Sequence, residues 1–304
     1  MRKTEFIWIS SDGNEIYSQI WEPDSPQVKA VVCLIHGLGE HSGRYRHVAE
    51  HMTDCGYVML AFDLPGHGKS TGLQGHVASE ELFLQNVEHA TREAELRFPG
   101  TPVFLYGHSM GAMIAILYVL KRHPHLAGVI VTGLALHSSL EEQKLKIFEA
   151  RCLAFAAPKV QLSTGLKIED ISRDPKVQQA YADDPLVHNR STPAMAVAIL
   201  DMIPQILEHA AEFDLPLLIM HGTADRLAYL RSSQEFAGLT SCDCTLKLWE
   251  GLYHEVHNEP EKEDVLKTIT DWLDSKSGLP LDKLDRSWEN SAGESLIFRG
   301  DRNG

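Results

Sequence analysis

Ser109 lies at the centre of Gly107-His108-Ser109-Met110-Gly111, a GxSxG pentapeptide that follows the apolar run Val103 to Tyr106 and precedes the alanine-rich run Ala112 to Leu120. A strand, a sharp turn and a helix in that order hold a serine hydroxyl above the end of a sheet in a strained conformation, and the two glycines let strand and helix approach. Such a serine is a candidate nucleophile for acyl transfer. Serine is weakly nucleophilic at neutral pH, so the chain must also supply a base within hydrogen-bonding reach and a carboxylate that orients that base. In open α/β sheets these groups collect at the carboxyl ends of strands, and where such an elbow is used the chain order is serine, acid, histidine. Asp225 follows the apolar run Leu215 to Met220, and His254 follows Thr245 to Trp249. Asp63 and His67 precede the nucleophile, Asp201 and Asp214 lie in or beside an irregular stretch, and His221 precedes the acid, so none has the expected position. The triad read from order and placement is Ser109, Asp225 and His254. The turn His36-Gly37-Leu38-Gly39-Glu40 ends another buried run, Ala30 to Ile35, and its glycines free backbone N–H groups to supply half of an oxyanion hole.

The elements that must position these residues are visible as patterns. Phe6 to Ile9 and Ile16 to Trp21 flank the turn signal Ser11-Asp12-Gly13-Asn14, which predicts an antiparallel hairpin. The runs Ala30 to Ile35, Tyr57 to Phe62, Val103 to Tyr106, Leu126 to Thr132, Leu215 to Met220 and Thr245 to Trp249 predict strands, most of them buried on both faces. Helical periodicity occupies Ser79 to Arg97 and begins again near Pro260. Strands alternating with helices at this spacing predict an α/β fold with a mostly parallel, doubly wound sheet. The rhythm fails between His137 and Phe213, where Pro158, Gly165, Pro175, Pro185 and Pro193 punctuate the chain. The expected division is a core of residues 1–136 and 214–274, an inserted helical cap at 137–213, and a tail at 275–304 without assigned role. Within the cap, Leu145, Phe148, Cys152 and Phe155 fall at helical spacing, which predicts either core packing or a lid face turned to substrate.

Composition narrows the chemistry. The chain has 304 residues with 28 basic against 42 acidic side chains, a net charge of −14 that repels nucleic acid and anionic lipid surfaces. A neutral substrate fits better. No apolar run is long enough to span a bilayer, and Met1 to Trp8 is too short for a secretory signal, so the expected location is cytoplasmic. The five cysteines are scattered and odd in number, which argues against a disulfide framework, and Cys242 and Cys244 lack zinc-site spacing. Asp63 to Ser70 is glycine-rich but lacks the GxxxxGK of a phosphate loop. Neither metal nor cofactor is expected. Arg299-Gly300-Asp301 matches an adhesion tripeptide only by chance.

The chain resembles the monoacylglycerol lipase and lysophospholipase group of the α/β-hydrolases. The matching words are His36 to Tyr45, Phe62-Asp63 with Gly66 to Ser70, Gly107 to Gly111, Asp184-Pro185-Leu186, and the Asp225 and His254 loops, spread over most of residues 5 to 274. The resemblance implies an α/β-hydrolase core with an inserted lid, and an oxyanion hole from the backbone N–H groups of Leu38 and Met110. It implies that Glu40, Arg44, Tyr181 and His257 bind the glycerol end of a lipid ester, and that no cofactor is needed. It implies hydrolysis of monoacylglycerols, with a general carboxylesterase or lysophospholipase as the near alternative and an acyltransferase or non-catalytic binding module as the distant one. Peripheral contact with a membrane or micelle through the cap is a further expectation. Leu38 stands where the family often has alanine, and Ala112 replaces a second glycine after the elbow, so acyl-chain preference is open while catalysis is not.

Overall fold

The computed structural model describes residues 1–138 and 144–278. The Arg299-Gly300-Asp301 tripeptide and all of the expected tail beyond residue 278 lie outside the described residues. Strands β1 (Arg2–Ile9) and β2 (Glu15–Glu22) form the antiparallel hairpin, with Ile7 opposite Tyr17 and Trp8 opposite Ile16. Then follow β3 (Val31–Ile35), α1 (Arg46–Asp54), β4 (Val58–Phe62), α2 (Glu80–Arg97), β5 (Val103–His108), α3 (Met110–Arg122) and β6 (Gly128–Thr132). Next come α4 (Lys144–Ala156), β7 (Leu162–Ser163), α5 (Pro175–Asp183), β8 (Arg190–Ser191) and α6 (Pro193–Glu208). The last elements among the described residues are β9 (Leu217–Gly222), α7 (Arg231–Leu239), β10 (Cys244–Trp249) and α8 (Lys262–Ser277).

Among the described residues, eight strands form one sheet in the order β1-β2-β4-β3-β5-β6-β9-β10, antiparallel through β2 and β4 and parallel from β4 onward. The central strands are buried at every position because each face of the sheet meets its own core. Val31, Cys33 and Ile35 join the cluster containing α2, α3 and α6 residues, while Val32 and Leu34 join the cluster formed with α1 and α8. Helix α3 is buried from Met110 through Leu120, which explains its lack of a polar face. All parallel strands therefore point their carboxyl ends at one rim.

Between β6 and β9 the chain leaves the sheet. Pro175 and Pro193 look like breaks in the sequence, yet each opens a helix, because proline lacks only an N–H that a first-turn residue does not need. Asp174 and Thr192 cap these helices, accepting from Lys176 N and Met195 N. Helix α6 packs on α3 and α4 packs on α6. Here the expected stripe is corrected. Leu145, Phe148 and Phe155 are 70%, 64% and 94% exposed, and Cys152 is exposed with them, so the stripe is neither core nor cavity wall. Helix α4 carries a second apolar face, Ile147, Ala150, Leu153 and Ala154, and this more sheltered one faces inward. Helical spacing identifies a face but does not say which of two competing faces is covered.

Candidate active site

The rim assembles the predicted residues. Ser109 follows β5 with φ 54° and ψ −116°, one of two non-glycine residues with positive φ among the described residues. Such a conformation costs about 1 to 3 kcal/mol and has to be held by its surroundings. The Ser109 N–H donates to Thr132 O at 2.9 Å, tying the elbow to the end of β6. Space is the reason for the glycines: a Cβ on Gly111 would lie 2.1 Å from Ile35 O, and one on Gly107 would lie 2.4 Å from Gly111 O. Met110 is the first residue of α3, so its N–H has no acceptor within the helix and points from the positive end of the helix dipole.

Asp225 lies beyond β9 and His254 beyond β10. His254 Nδ1 and Asp225 Oδ2 are 2.7 Å apart, and the two side chains are 7% and 0% exposed. The other carboxylate oxygen, Oδ1, accepts from Leu227 N at 2.8 Å and Ala228 N at 3.0 Å, which fixes the carboxylate's orientation. Burial works against ionisation of Asp225, but the neighbouring His254 charge and hydrogen bonds from His221 and His254 outweigh it and hold the carboxyl well below its usual range. Burial likewise opposes protonation of His254, and Asp225 more than offsets it, aided by Glu255 and Glu40, so the imidazole titrates above its ordinary value. With Nδ1–H given to Asp225, Nε2 carries the lone pair that a base needs.

Ser109 and His254 line one cavity of about 290 Å³. Its apolar wall comes from Met113, Ala135, Ile171, Ile199 and Leu227, and its polar end holds Glu40, Tyr181 and Glu255. Of the four residues expected to bind an alcohol, Glu40 and Tyr181 are on this wall; Arg44 and His257 are not. Glu40 Oε1 accepts from Gly37 N at 2.6 Å and Tyr45 OH at 2.8 Å, and Oε2 accepts from Arg44 at 2.6 Å. Both oxygens are thus committed to the oxyanion loop. The Arg44 guanidinium lies 4.6 Å from the Tyr181 ring centroid, so it supports that ring from outside the cavity. His257 is fully buried, stacked on Tyr45 at 4.8 Å and edge-on to His108 at 4.9 Å, and burial keeps its imidazole neutral. Leu38 is on the cavity wall beside Gly37, whose own N–H is taken by Glu40.

Three further sets of contacts hold the loops around the site, and for Asp63 this is the structural role that its place before the nucleophile predicts. Asp63 accepts from Ser42 N, Ser42 Oγ and Lys69 N at 2.8, 2.6 and 2.8 Å, holding the oxyanion loop against the glycine-rich loop. Asp184 meets His41 Nε2 at 2.9 Å, and His188 N donates to Gly39 O at 2.9 Å, so the insertion is stitched to the same loop. Glu255 accepts a bidentate pair from Arg44 at 2.7 Å each. The His36 to Tyr45, Phe62-Asp63 and Asp184-Pro185-Leu186 words mark several of these residues, but nothing in the sequence pairs them.

Comparison with known proteins agrees with this fold. The profile of the family described as Serine aminopeptidase, S33 matches residues 26–261. A monoacylglycerol lipase of Mycolicibacterium smegmatis is 33% identical over 89% of this chain and 97% of its own length. An uncharacterized abhydrolase domain-containing protein of Dictyostelium discoideum is 37% identical over 87% of this chain, which spans only 28% of that relative. The crystal structure of Paleococcus ferrophilus monoacylglycerol lipase superimposes with a TM-score of 0.80 at 32% identity, covering 86% of this chain and 99% of that one. With its sheet order, its strained serine and a family match across most of its length, the chain belongs to the serine aminopeptidase S33 family of α/β-hydrolases.

Proposed function

We propose that this carboxylic ester hydrolase cleaves monoacylglycerols to glycerol and fatty acid through an acyl-enzyme on Ser109. The observation that carries the reading is the buried Asp225–His254 pair opening onto the same cavity as the strained Ser109. Ser109 Oγ attacks the ester carbon and its proton passes to His254 Nε2. The negative oxygen that forms is held by the N–H groups of Leu38 and Met110, donors that need no reorganisation as charge develops. The intermediate collapses, His254 returns the proton to the departing glycerol oxygen, and water repeats the sequence on the acyl-enzyme. At the polar end of the cavity, Tyr181 offers a phenol that burial keeps protonated, able to pair with a free glycerol hydroxyl. Arg44 and His257 serve this subsite indirectly, by supporting Tyr181, Tyr45 and Glu40.

The first test compares a monoacylglycerol with the methyl ester of the same fatty acid. A site built to pair with hydroxyls discriminates against the analogue that lacks them. Tyr181→Phe should reduce the preference for the glycerol ester by about 1 to 3 kcal/mol, roughly 5- to 150-fold in the ratio of kcat/KM values. A wild-type enzyme with no preference would be a general carboxylesterase, and one that prefers lysophospholipids would be a lysophospholipase.

The same reading gives the exposed face of α4 a role. No described helix is long and apolar enough to cross a membrane, and we place Leu145, Phe148, Cys152 and Phe155 against the surface of a lipid aggregate. Burying a phenylalanine side chain contributes about 1.5 to 3 kcal/mol, and the net charge of −14 favours a zwitterionic surface over an anionic one. Phe148→Glu with Phe155→Glu should lower sedimentation with phosphatidylcholine vesicles and slow hydrolysis of micellar monoacylglycerol at least about tenfold, with nitrophenyl acetate turnover unchanged. Equal losses on the soluble ester would remove the surface role.

A further inference from the structure

Glu255 follows the base directly in the chain, is 3% exposed, and has every side-chain oxygen engaged. Arg44 Nη1 donates to Oε1 and Arg44 Nη2 to Oε2, both at 2.7 Å, while Asn258 Nδ2 donates to Oε2 at 2.8 Å. Its backbone N–H donates to Ile171 O at 2.8 Å, in the segment inserted between β6 and β9. Arg44 continues to Glu40 Oε2 at 2.6 Å, and Glu40 Oε1 accepts from Gly37 N at 2.6 Å, next to Leu38. An unbroken series of charge-assisted hydrogen bonds thus runs from the residue after the base to the residue before the oxyanion donor. Arg44 and Glu255 are 211 positions apart in sequence.

We propose that Glu255 is a positioning residue: through Arg44 and Glu40 it fixes the distance between the base loop and the oxyanion loop, and its carboxylate adds negative charge beside His254. The inference rests on the triad assigned above. Bidentate carboxylate–guanidinium pairs fix orientation as well as distance, which a single contact cannot do. Misplacement of a reacting group by about an ångström costs on the order of a hundredfold in rate, so a brace between the two loops acts on kcat. Its charge acts on the base. The groups around His254 are Asp225 from the loop after β9, His108 from β5, His257 from its own loop, and Glu40 and Arg44 from the oxyanion loop. Burial lowers His108 to about 3 and His257 well below its ordinary value, so both are uncharged near neutrality and leave the carboxylates and Arg44 to set the field. Glu255, held low to about 2 against its burial by Arg44, remains ionised across the working range.

The sign follows from charge. A negative neighbour favours the imidazolium and raises the pH below which the base is lost, so its removal moves the acid limb of the kcat/KM profile to lower pH. Glu255→Gln keeps the shape but loses the charge and one arm of the bidentate pair. On a soluble nitrophenyl ester it should lower kcat about ten- to a hundredfold with KM within about threefold, and shift the acid limb downward. Glu255→Asp keeps the charge but withdraws the carboxylate, so it should lose kcat while its acid limb stays with the wild type. Wild-type kcat in Glu255→Asp, or an unmoved acid limb in Glu255→Gln, would overturn the proposal. Where Glu255→Gln fails to fold, the kcat of Glu255→Asp decides. Ser109→Ala and His254→Ala run alongside separate the two readings: turnover in either removes the triad itself, whereas loss in both with a wild-type Glu255→Gln removes only the brace.

Discussion

Ser109→Ala should yield a folded protein with at least about a thousandfold less ester turnover and no labelling by a fluorophosphonate. The substitution removes one oxygen and nothing that supports the elbow. Ser109 holds its place through its backbone, with N–H donating to Thr132 O and carbonyl accepting from Ala112 N and Met113 N, and its side chain makes no capping hydrogen bond to α3. Alanine bears the same strain at φ 54°, so the melting temperature should stay within a few degrees. His254→Ala should lose turnover to the same degree, because no nearby histidine can replace it. His108 Nδ1 is engaged with Thr132 Oγ1 at 2.9 Å, and His257 is sealed beneath the site with no exposed surface. His257→Ala should keep most of its activity on a methyl ester. If the losses were exchanged between His254 and His257, the base would be the other residue.

What the sequence could and could not say follows from the range of each interaction. Most strands at the rim were legible because each is a short apolar run, and burial on two faces removes the polar alternation that would confuse its reading, whereas β10 is a largely exposed edge strand. Asp225 and His254 were legible because a sheet with carboxyl ends on one rim converts strand order into spatial proximity, and they lie 2.7 Å apart though 29 residues separate them. Glu255 was not legible. Its partner Arg44 sits in a different loop with no periodicity to connect the two, so the neighbour of the base reads as an ordinary surface acid until the fold is known. The orientation of α4 was hidden for another reason: two apolar faces on one helix satisfy the same spacing rule, and only the position of α6 decides between them. Pro175 and Pro193 misled because proline both ends and begins helices, and the capping Asp174 and Thr192 just before them were the signal to read.

Asp225→Asn should lower kcat about ten-thousandfold near neutral pH while leaving the cavity and the fold intact. Hydrogen-bond polarity decides the outcome. Asp225 Oδ1 accepts from two backbone donors, Leu227 N and Ala228 N, while Oδ2 faces His254 Nδ1 at 2.7 Å and, at 3.2 Å, His221 Nε2, whose N–H has Ala228 O at 3.0 Å as its alternative acceptor. An asparagine in this place has one oxygen and one NH₂ group. Turned with NH₂ toward Leu227 and Ala228, it would set donor against two donors in a buried site, at a cost of about 1 to 3 kcal/mol for each lost bond. It therefore keeps its oxygen on the backbone side and points NH₂ at His254. Nδ1 must then accept, which moves the imidazole proton to Nε2, where it meets the Ser109 hydroxyl as a donor instead of a base. The charge that holds His254 above its ordinary value disappears as well, so the acid limb of whatever activity remains should move to lower pH. Nitrogen-15 NMR of the His254 ring provides the direct check: the wild type should show a protonated Nδ1 and an unprotonated Nε2, and Asp225→Asn the reverse. A variant that retained the wild-type tautomer and yet lost its activity would mean that Asp225 acts through its charge alone. One that retained its activity would mean that some other carboxylate orients the base.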